Sequence, residues 1–378
     1  MKQKIGKYTV GLTSIFMVLG FLVFHVGMSD RQVSALEQRN LQQIPEFSFE
    51  KLSNQEYQSN WQSYLQDQFP WRDQLFQAKV SLEHKLGKQH FSDVWIGEDD
   101  MLFQEPTKLT KEQYDAHLNT MKTIAKNYPK LDIRCMLVSN KASIYPEKLP
   151  ELLSYPDQEA WVQSFYKDVK NYDIEGIDVT SILQKHKDEK MYYTTDHHWT
   201  TKAAYYAAKE YLQKAVKKPE EDHYQDYVVS DDFIGSLAKR SGYISDERDV
   251  VTIAANQDSS FSYVVTYVEE QQKKPTVFDS QKAMSENPYE VFFGGNHARI
   301  DIDTTSTHKK SLLVLKDSFA NALLPYLLTN YSKITVVDPR YYNDDIEALI
   351  KERKITDVLC LYNVNTFFSD TSLEDLFE

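Results

Sequence analysis

Two short stretches carry the residue types of acyl-transfer chemistry. The first runs Tyr192-Tyr193-Thr194-Thr195-Asp196-His197-His198-Trp199-Thr200. An amphipathic helical pattern begins at Thr200 or Thr201, where a threonine hydroxyl can cap the free amides. Asp196 and His198 therefore lie just ahead of a helix N-terminus. The positive end of the helix dipole disfavours imidazolium there, so His198 stays neutral and able to accept a proton. A carboxylate two residues earlier can bond one ring nitrogen and leave the other for a nucleophile. The second stretch is SLLVLKDSFANALLPYL, where an apolar strand pattern runs into Lys316-Asp317-Ser318-Phe319 and then into an apolar helical pattern. Ser318 is expected at a strand's C-terminal end and a helix's start, where parallel α/β sheets place their sites. Backbone amides at that point can stabilise an oxyanion.

Each stretch also has a plainer reading. The aromatic-rich turn can simply pack, with its histidines hydrogen-bonded, and Ser318 or Asp317 can be an ordinary helix cap. Adjacent Asp-His-His offers three metal ligands, but neighbouring residues rarely point at one ion. Neither HExxH nor CxxC accompanies them, so no metal is expected.

The elements that must position these residues alternate. Apolar periodicity predicts helices over roughly 49–66, 71–86, 111–128, 158–172, 318–328 and 344–354, with strands over 133–138, 176–182, 312–315, 334–337 and 358–362. The segment VWIGEDDMLF, 94–103, reads as a hairpin around an acidic turn. Strand–helix–strand alternation implies an α/β fold with a mostly parallel sheet flanked by helices. From about 224 to 299 the pattern becomes polar and β-branched, a β-rich insertion within the same domain. Cys135 and Cys360 each lie in an apolar strand-like run and are expected as buried free thiols.

Composition narrows the function. The 378 residues carry a formal charge of −13, which argues against nucleic acid as a partner. Lys2, Lys4 and Lys7 precede an uncharged apolar stretch from Tyr8 to Ser29. Twenty-two helical residues at a rise of about 1.5 Å span roughly the 30 Å hydrocarbon core. Residues 1–29 are thus expected to be an uncleaved N-terminal transmembrane anchor, with everything beyond outside the cytoplasm. Residues 30–48 then read as a juxtamembrane linker and 49–378 as one catalytic domain.

TTDHHWT, followed after an insertion by LLVLKDSFANALLPYL, resembles the DHHW protein family. That family sits with the SGNH-hydrolase-like polysaccharide O-acetyltransferases related to the alginate acetylation proteins. EQRNLQQIPEF, DQFPWRD, VWIGEDDMLF, VSNKASIYPEKLP, FFGGNHARID and VVDPRYY support the resemblance, which extends over the chain beyond the anchor. It implies an SGNH-hydrolase-like, flavodoxin-like fold. Asp196 would be the orienting acid, His198 the base and Ser318 the acylated nucleophile, in the permuted order of the alginate-type branch. Lys316 stands where SGNH hydrolases usually have glycine. Asn363, just past the DVLCLY strand, and Asn296 after Gly295 are the candidate oxyanion asparagines. Arg340, Lys141 and Tyr145 lie in strand-end loops and are candidate substrate-binding residues. The implied reaction needs no cofactor. It implies a polysaccharide acceptor and an acetyl donor delivered by a multi-pass membrane-bound O-acyltransferase, at a bacterial cell membrane. A polysaccharide acetyl esterase with the same three residues is the alternative, and a non-catalytic carbohydrate-binding or assembly protein the second.

Overall fold

A computed structural model describes residues 27–34, 36, 39–151, 153, 155–220 and 223–377, together with 13, 15, 16, 19 and 20. The expected anchor lies largely outside the described residues. Among these, no helix is long and apolar enough to cross a membrane. The chain divides into two compact units, residues 1–92 with 238–244, and residues 93–237 with 245–378.

In the first unit the helix predicted over 49–66 is broken in two, Phe49–Ser53 and Glu56–Asp67, because Gln55 takes a φ of 66°. A third helix spans Arg72–Lys85. Residues of the expected linker are tied to these helices. Arg31 pairs with Asp73 at 2.6 Å, the Tyr64 hydroxyl donates to Asp30 at 3.1 Å, and Arg39 grips Asp67 through two bonds of 2.8 and 2.6 Å.

The second unit is built on an eight-stranded sheet. Its strands are β1 (Asp132–Val138), β2 (Glu175–Gly176), β3 (Tyr263–Tyr267), β4 (Gln272–Lys274), β5 (Arg299–Thr304), β6 (Ser311–Lys316), β7 (Lys333–Val337) and β8 (Asp357–Asn363). The order across the sheet is β4-β3-β5-β7-β6-β8-β1-β2. From β7 to β2 every pairing is parallel, whereas β4, β3 and β5 add an antiparallel edge. The sheet is therefore mostly parallel but mixed, because part of the β-rich insertion joins it instead of standing apart.

Strand β6 lies at the centre and is buried throughout, as a doubly covered strand must be. Its side chains alternate between faces. Leu313 and Leu315 pack with Met121, Phe165 and Leu349 of helices Lys111–Asn127, Gln158–Val169 and Ile346–Arg353. Leu312 and Val314 pack with Ala203, Ala207 and Tyr211 of helix Thr201–Ala215. Cys135 and Cys360 are buried free thiols on the adjacent strands β1 and β8.

Two predicted elements differ. The strand expected over 176–182 ends at Gly176, since the Asp178 carboxylate accepts from the Thr180 amide and helix Thr180–Lys185 begins there. The helix expected over 318–328 is α-helical only at Ala320–Leu323 and continues as a 3-10 helix to Asn330. Pro325 has no amide hydrogen to donate and disfavours continued α-helix.

Candidate active site

The loops after β6, β8 and β1 are joined through Asp317 and Asn363, and Ser318 stands on the first of them. This residue follows β6 by two positions and is half-buried. Its neighbour Asp317 is buried and ties β6 to β8. The Asp317 amide donates to Leu361 O at 3.3 Å, and its carboxylate accepts from the amides of Asn363 and Phe319, both at 2.9 Å. Burial raises the Asp317 carboxyl above its ordinary range, against the pull of those amides and of Arg340. Asp317 thus shapes the loop, and Ser318 Oγ is left to face the histidine.

His198 comes from the turn ahead of helix Thr201–Ala215, whose N-terminus is capped as expected by Thr200. The structure brings Asp196, His198 and Ser318 into one hydrogen-bonded chain. Asp196 Oδ1 lies 2.7 Å from His198 Nδ1, and His198 Nε2 lies 2.7 Å from Ser318 Oγ. Asp196 Oδ1 also accepts from the His198 amide at 2.9 Å, which fixes the residue against its own carboxylate. Burial alone would raise the Asp196 carboxyl. The imidazoles of His197 and His198 and the amide of Ser236 together hold it well below the usual carboxylate range. Such a group orients and stabilises a protonated histidine without taking the proton itself.

The turn is braced from several directions. Trp199, fully buried, donates its indole hydrogen to Phe319 O at 3.0 Å, linking it to the segment after Ser318. The Tyr192 hydroxyl donates to Ser139 O at the end of β1. Asp249 accepts from the amides of Thr194 and Thr195 at 2.7 and 2.8 Å and from the Thr195 hydroxyl at 2.7 Å. Thr195 Oγ1 then accepts from the Gly235 amide at 2.8 Å, and Asp196 Oδ2 from the Ser236 amide at 2.7 Å. Gly235 is required here by close approach, because a Cβ would lie 2.3 Å from that of Asp196. These buried donors and acceptors are matched to one another, and leaving one unmatched would cost about 1–3 kcal/mol.

Sequence reasoning did not single out Gly235, Ser236 or Asp249. The last lies in ERDVVT as an acidic residue entering a strand, Asp249–Asn256, and nothing in that pattern announces that it is buried. Tyr289 is a further residue the sequence leaves unmarked. Its ring stacks on His198 with centroids 4.0 Å apart and planes 17° apart, and its hydroxyl donates to Ser318 O at 3.2 Å.

The candidate substrate-binding residues are engaged within the protein. Lys141 is buried and donates to Leu102 O at 2.7 Å and Thr194 O at 3.1 Å, so it braces the histidine turn from below. Burial pushes its ammonium down to about 7, against the pull of Asp249 and Asp196. The Tyr145 hydroxyl accepts from the Met191 amide and donates to Lys187 O, both at 2.9 Å. Arg340 grips Asp338 through two bonds of 2.8 and 2.7 Å.

The two candidate asparagines part company. Asn363 donates both amide hydrogens within the protein, to Val138 O at 3.1 Å and Asn140 Oδ1 at 2.9 Å, and its Oδ1 caps the next helix. Asn296 is exposed, and its Oδ1 accepts from Lys316 Nζ at 2.8 Å and Asn321 Nδ2 at 3.1 Å. Those two donors hold the oxygen end of the amide. Positive φ at Gly294 (81°) and Gly295 (117°) delivers Asn296 to this place. Lys316, fully buried, also approaches Asp338 at 3.3 Å, and burial lowers its ammonium below the ordinary lysine value.

Asp196, His197 and His198 bring possible metal ligands within 4.8 Å of one another. Their atoms are engaged otherwise. Asp196 uses both oxygens, His198 both nitrogens, and His197 Nδ1 lies 2.7 Å from Ser236 Oγ. The donor set fits a proton relay better than an ion.

The fold is that of solved structures at low identity. A DHHW family protein from Eubacterium siraeum DSM 15702 matches with a TM-score of 0.62 at 22% identity, covering 73% of this chain and 93% of that one. Bacillus cereus PatB1, solved with a sulfonyl adduct, matches with a TM-score of 0.61 at 17% identity, covering 74% and 97%. None of the curated proteins matches the sequence. The description "DHHW protein" fits residues 111–337, a span that holds the histidine turn, the insertion and Ser318. The chain belongs to the DHHW protein family.

Proposed function

We propose that this chain is an extracytoplasmic O-acetyltransferase that places acetyl groups on hydroxyls of a cell-surface or exported polysaccharide through an acyl-serine at Ser318. The observation that carries this reading is the relay Asp196–His198–Ser318, with both links at 2.7 Å. Its members are hydrogen-bonded in the order that nucleophilic acyl transfer requires.

In the first half-reaction His198 Nε2 takes the Ser318 proton as Oγ attacks the acetyl carbonyl. The Oγ–carbon bond forms, the bond to the donor's leaving atom breaks, and His198 returns the proton to that atom. In the second half-reaction a sugar hydroxyl gives its proton to His198 and attacks the acyl carbon, and Ser318 Oγ leaves with the proton. The oxyanion formed each time needs donors. The amide of Ser318 and the side-chain NH2 of Asn296 make no hydrogen bond among the described residues, and the Oδ1 of Asn296 is held by Lys316 and Asn321. These two groups are the donors we assign to the oxyanion.

The lysines at 2, 4 and 7 and the apolar stretch 8–29 support a membrane anchor with the relay outside the cytoplasm. Acetyl-CoA is cytoplasmic, so the reaction then needs a donor carried across the membrane, the role of a multi-pass O-acyltransferase partner.

The test uses the full chain in detergent with a chromogenic acetyl ester, following acetate release and the intact mass. Wild type is expected to acquire one acetyl adduct that Ser318→Ala does not form, and Ser318→Ala and His198→Ala are each expected to lose at least about 10³-fold in turnover. Oligosaccharide acceptors should then draw the acetyl group away from water. Hydrolysis unaffected by any acceptor would favour the esterase, and three proteins of equal activity would leave the carbohydrate-binding or assembly role.

A further inference from the structure

Tyr289 sits in a 3-10 turn, Pro288–Val291, contributed by the β-rich insertion. It is 4% exposed, and its ring is held edge-on by Tyr193 at 6.2 Å and Phe292 at 5.6 Å. One face of that ring lies parallel to the His198 imidazole, at a centroid separation of 4.0 Å. Its hydroxyl reaches the carbonyl of Ser318 at 3.2 Å. A single side chain therefore touches both the base and the nucleophile's backbone, without lying in the hydrogen-bonded relay.

We propose that Tyr289 is a positioning residue that fixes the plane of His198 and stabilises its protonated form through the ring face. The inference rests on the acyl-transfer reading above. An aromatic face carries negative potential and attracts a cation within about 6 Å of its centroid, more strongly where water is excluded. His198 becomes a cation in both half-reactions. Asp196 meets that charge at the Nδ1 edge, and Tyr289 meets it on the face. The other groups around the imidazole are His197, tilted against it at 3.8 Å, Phe319 at 5.1 Å, and Ser318. Asp317 carries the nearest further carboxyl on the nucleophile's loop, and its oxygens accept from Phe319 and Asn363. None of these lies parallel to the imidazole as closely as Tyr289 does. The stack also prevents the ring from rotating about its Cβ–Cγ bond, which would break both 2.7 Å links at once.

Weakening the attraction of the ring face for imidazolium is expected to move the acid limb of kcat/KM to lower pH. The experiment replaces Tyr289 in the full chain with phenylalanine and then with mono-, di- and trifluorinated phenylalanine. These side chains keep the ring's shape and burial while draining its π density, so folding is preserved. The pH dependence of kcat/KM for a chromogenic acetyl ester is measured for each. Tyr289→Phe is expected to leave the acid limb in place and to lower the rate a few-fold through the lost bond to Ser318 O. The fluorinated series is expected to move the limb downward in steps, by about half a pH unit or more in total. Tyr289→Leu, which keeps an apolar side chain there without a π face, is expected to lower kcat/KM by about tenfold and to shift the limb as far as the trifluorinated ring. A limb that stays put across the series overturns the proposal, even if rates fall, because a purely structural ring would behave that way. Should Ser318→Ala and His198→Ala match wild type, the acyl-transfer reading fails and this inference with it. If those two are inactive while the series is flat, only the role of Tyr289 is lost.

Discussion

The serine and the histidine of this site are held by different means. Ser318 stands on the central parallel sheet. Its loop is fixed from behind by a network in which Lys316 reaches Asn296 and Asp338, Arg340 grips Asp338, and Asp317 gathers the amides of Phe319 and Asn363. His198 stands on a turn with little regular structure of its own, and the β-rich insertion holds it. Gly235 and Ser236 supply amides, Asp249 accepts three hydrogen bonds from Thr194 and Thr195, and Tyr289 supplies a stacking face. The nucleophile's support is therefore ionic and built into the sheet. The insertion's support for the base is mostly hydrogen bonds with backbone amides and one ring, and it comes from sequence 37 to 91 residues away from His198. A charge network tolerates small displacements because Coulomb attraction falls off slowly. Directional bonds to a turn do not, so the histidine side should be the more fragile of the two.

The largest effect that tests this contrast is expected from Gly235→Ala. Its new methyl would lie 2.3 Å from the Asp196 Cβ and 2.5 Å from that residue's backbone, and neither can move aside without carrying the turn. A displacement of about 1 Å at a reacting group costs on the order of 10²-fold, and a loss of that size in kcat/KM is the expected outcome. Lys316→Met should come second. It removes the donor to Asn296 and one partner of Asp338 but leaves Arg340 in place. We expect about a tenfold lower kcat and a loss of about 2 kcal/mol in urea unfolding, below the full penalty of an unpaired buried charge. If Lys316→Met proves more damaging to kcat/KM than Gly235→Ala, the contrast is reversed.

The smallest effect concerns Lys141 beneath the histidine turn. Its folded pKa is lowered to about 7, whereas an unfolded lysine titrates near 10.4. Between these values the unfolded chain binds a proton that the folded one has released, so stability rises with pH across that window. The slope should be at most about 1.4 kcal/mol per pH unit, read from chemical denaturation, and Lys141→Met should flatten it.

Much of the sheet was legible from pattern. Strands β1, β6, β7 and β8 are apolar runs bounded by polar turns, and helices Lys111–Asn127 and Gln158–Val169 carry clear amphipathic spacing, so local physics and tertiary outcome agree. The strand expected over 176–182 was misread because Ile177, Val179 and Ile182 look alike in either state, and the Asp178 side chain decided for a helix. The helical break at Gln55 has no local signal, since a left-handed glutamine is a tertiary concession.

Asp196, His198 and Ser318 were readable because each sits at an element boundary, where a side chain is presented by the local backbone. Lys141, Tyr145 and Arg340 were readable as polar residues at strand ends. Their place in the sequence could not tell whether they face a ligand or the protein, and the structure pairs all three with protein groups.

What the sequence by itself determined is the order of elements, the apolar stretch near the start, and which residues stand at the ends of strands. Periodicity and capping act over a few residues, so they are written locally. What only the tertiary structure decided is the meeting of Ser318 with His198 across 120 residues of chain, the inward face of Asp249, the close approach at Gly235 and the stack of Tyr289 on the base. Those depend on which surfaces pack together, and packing is settled by the whole fold at once, since each buried polar group can be satisfied only by a partner that some distant segment delivers.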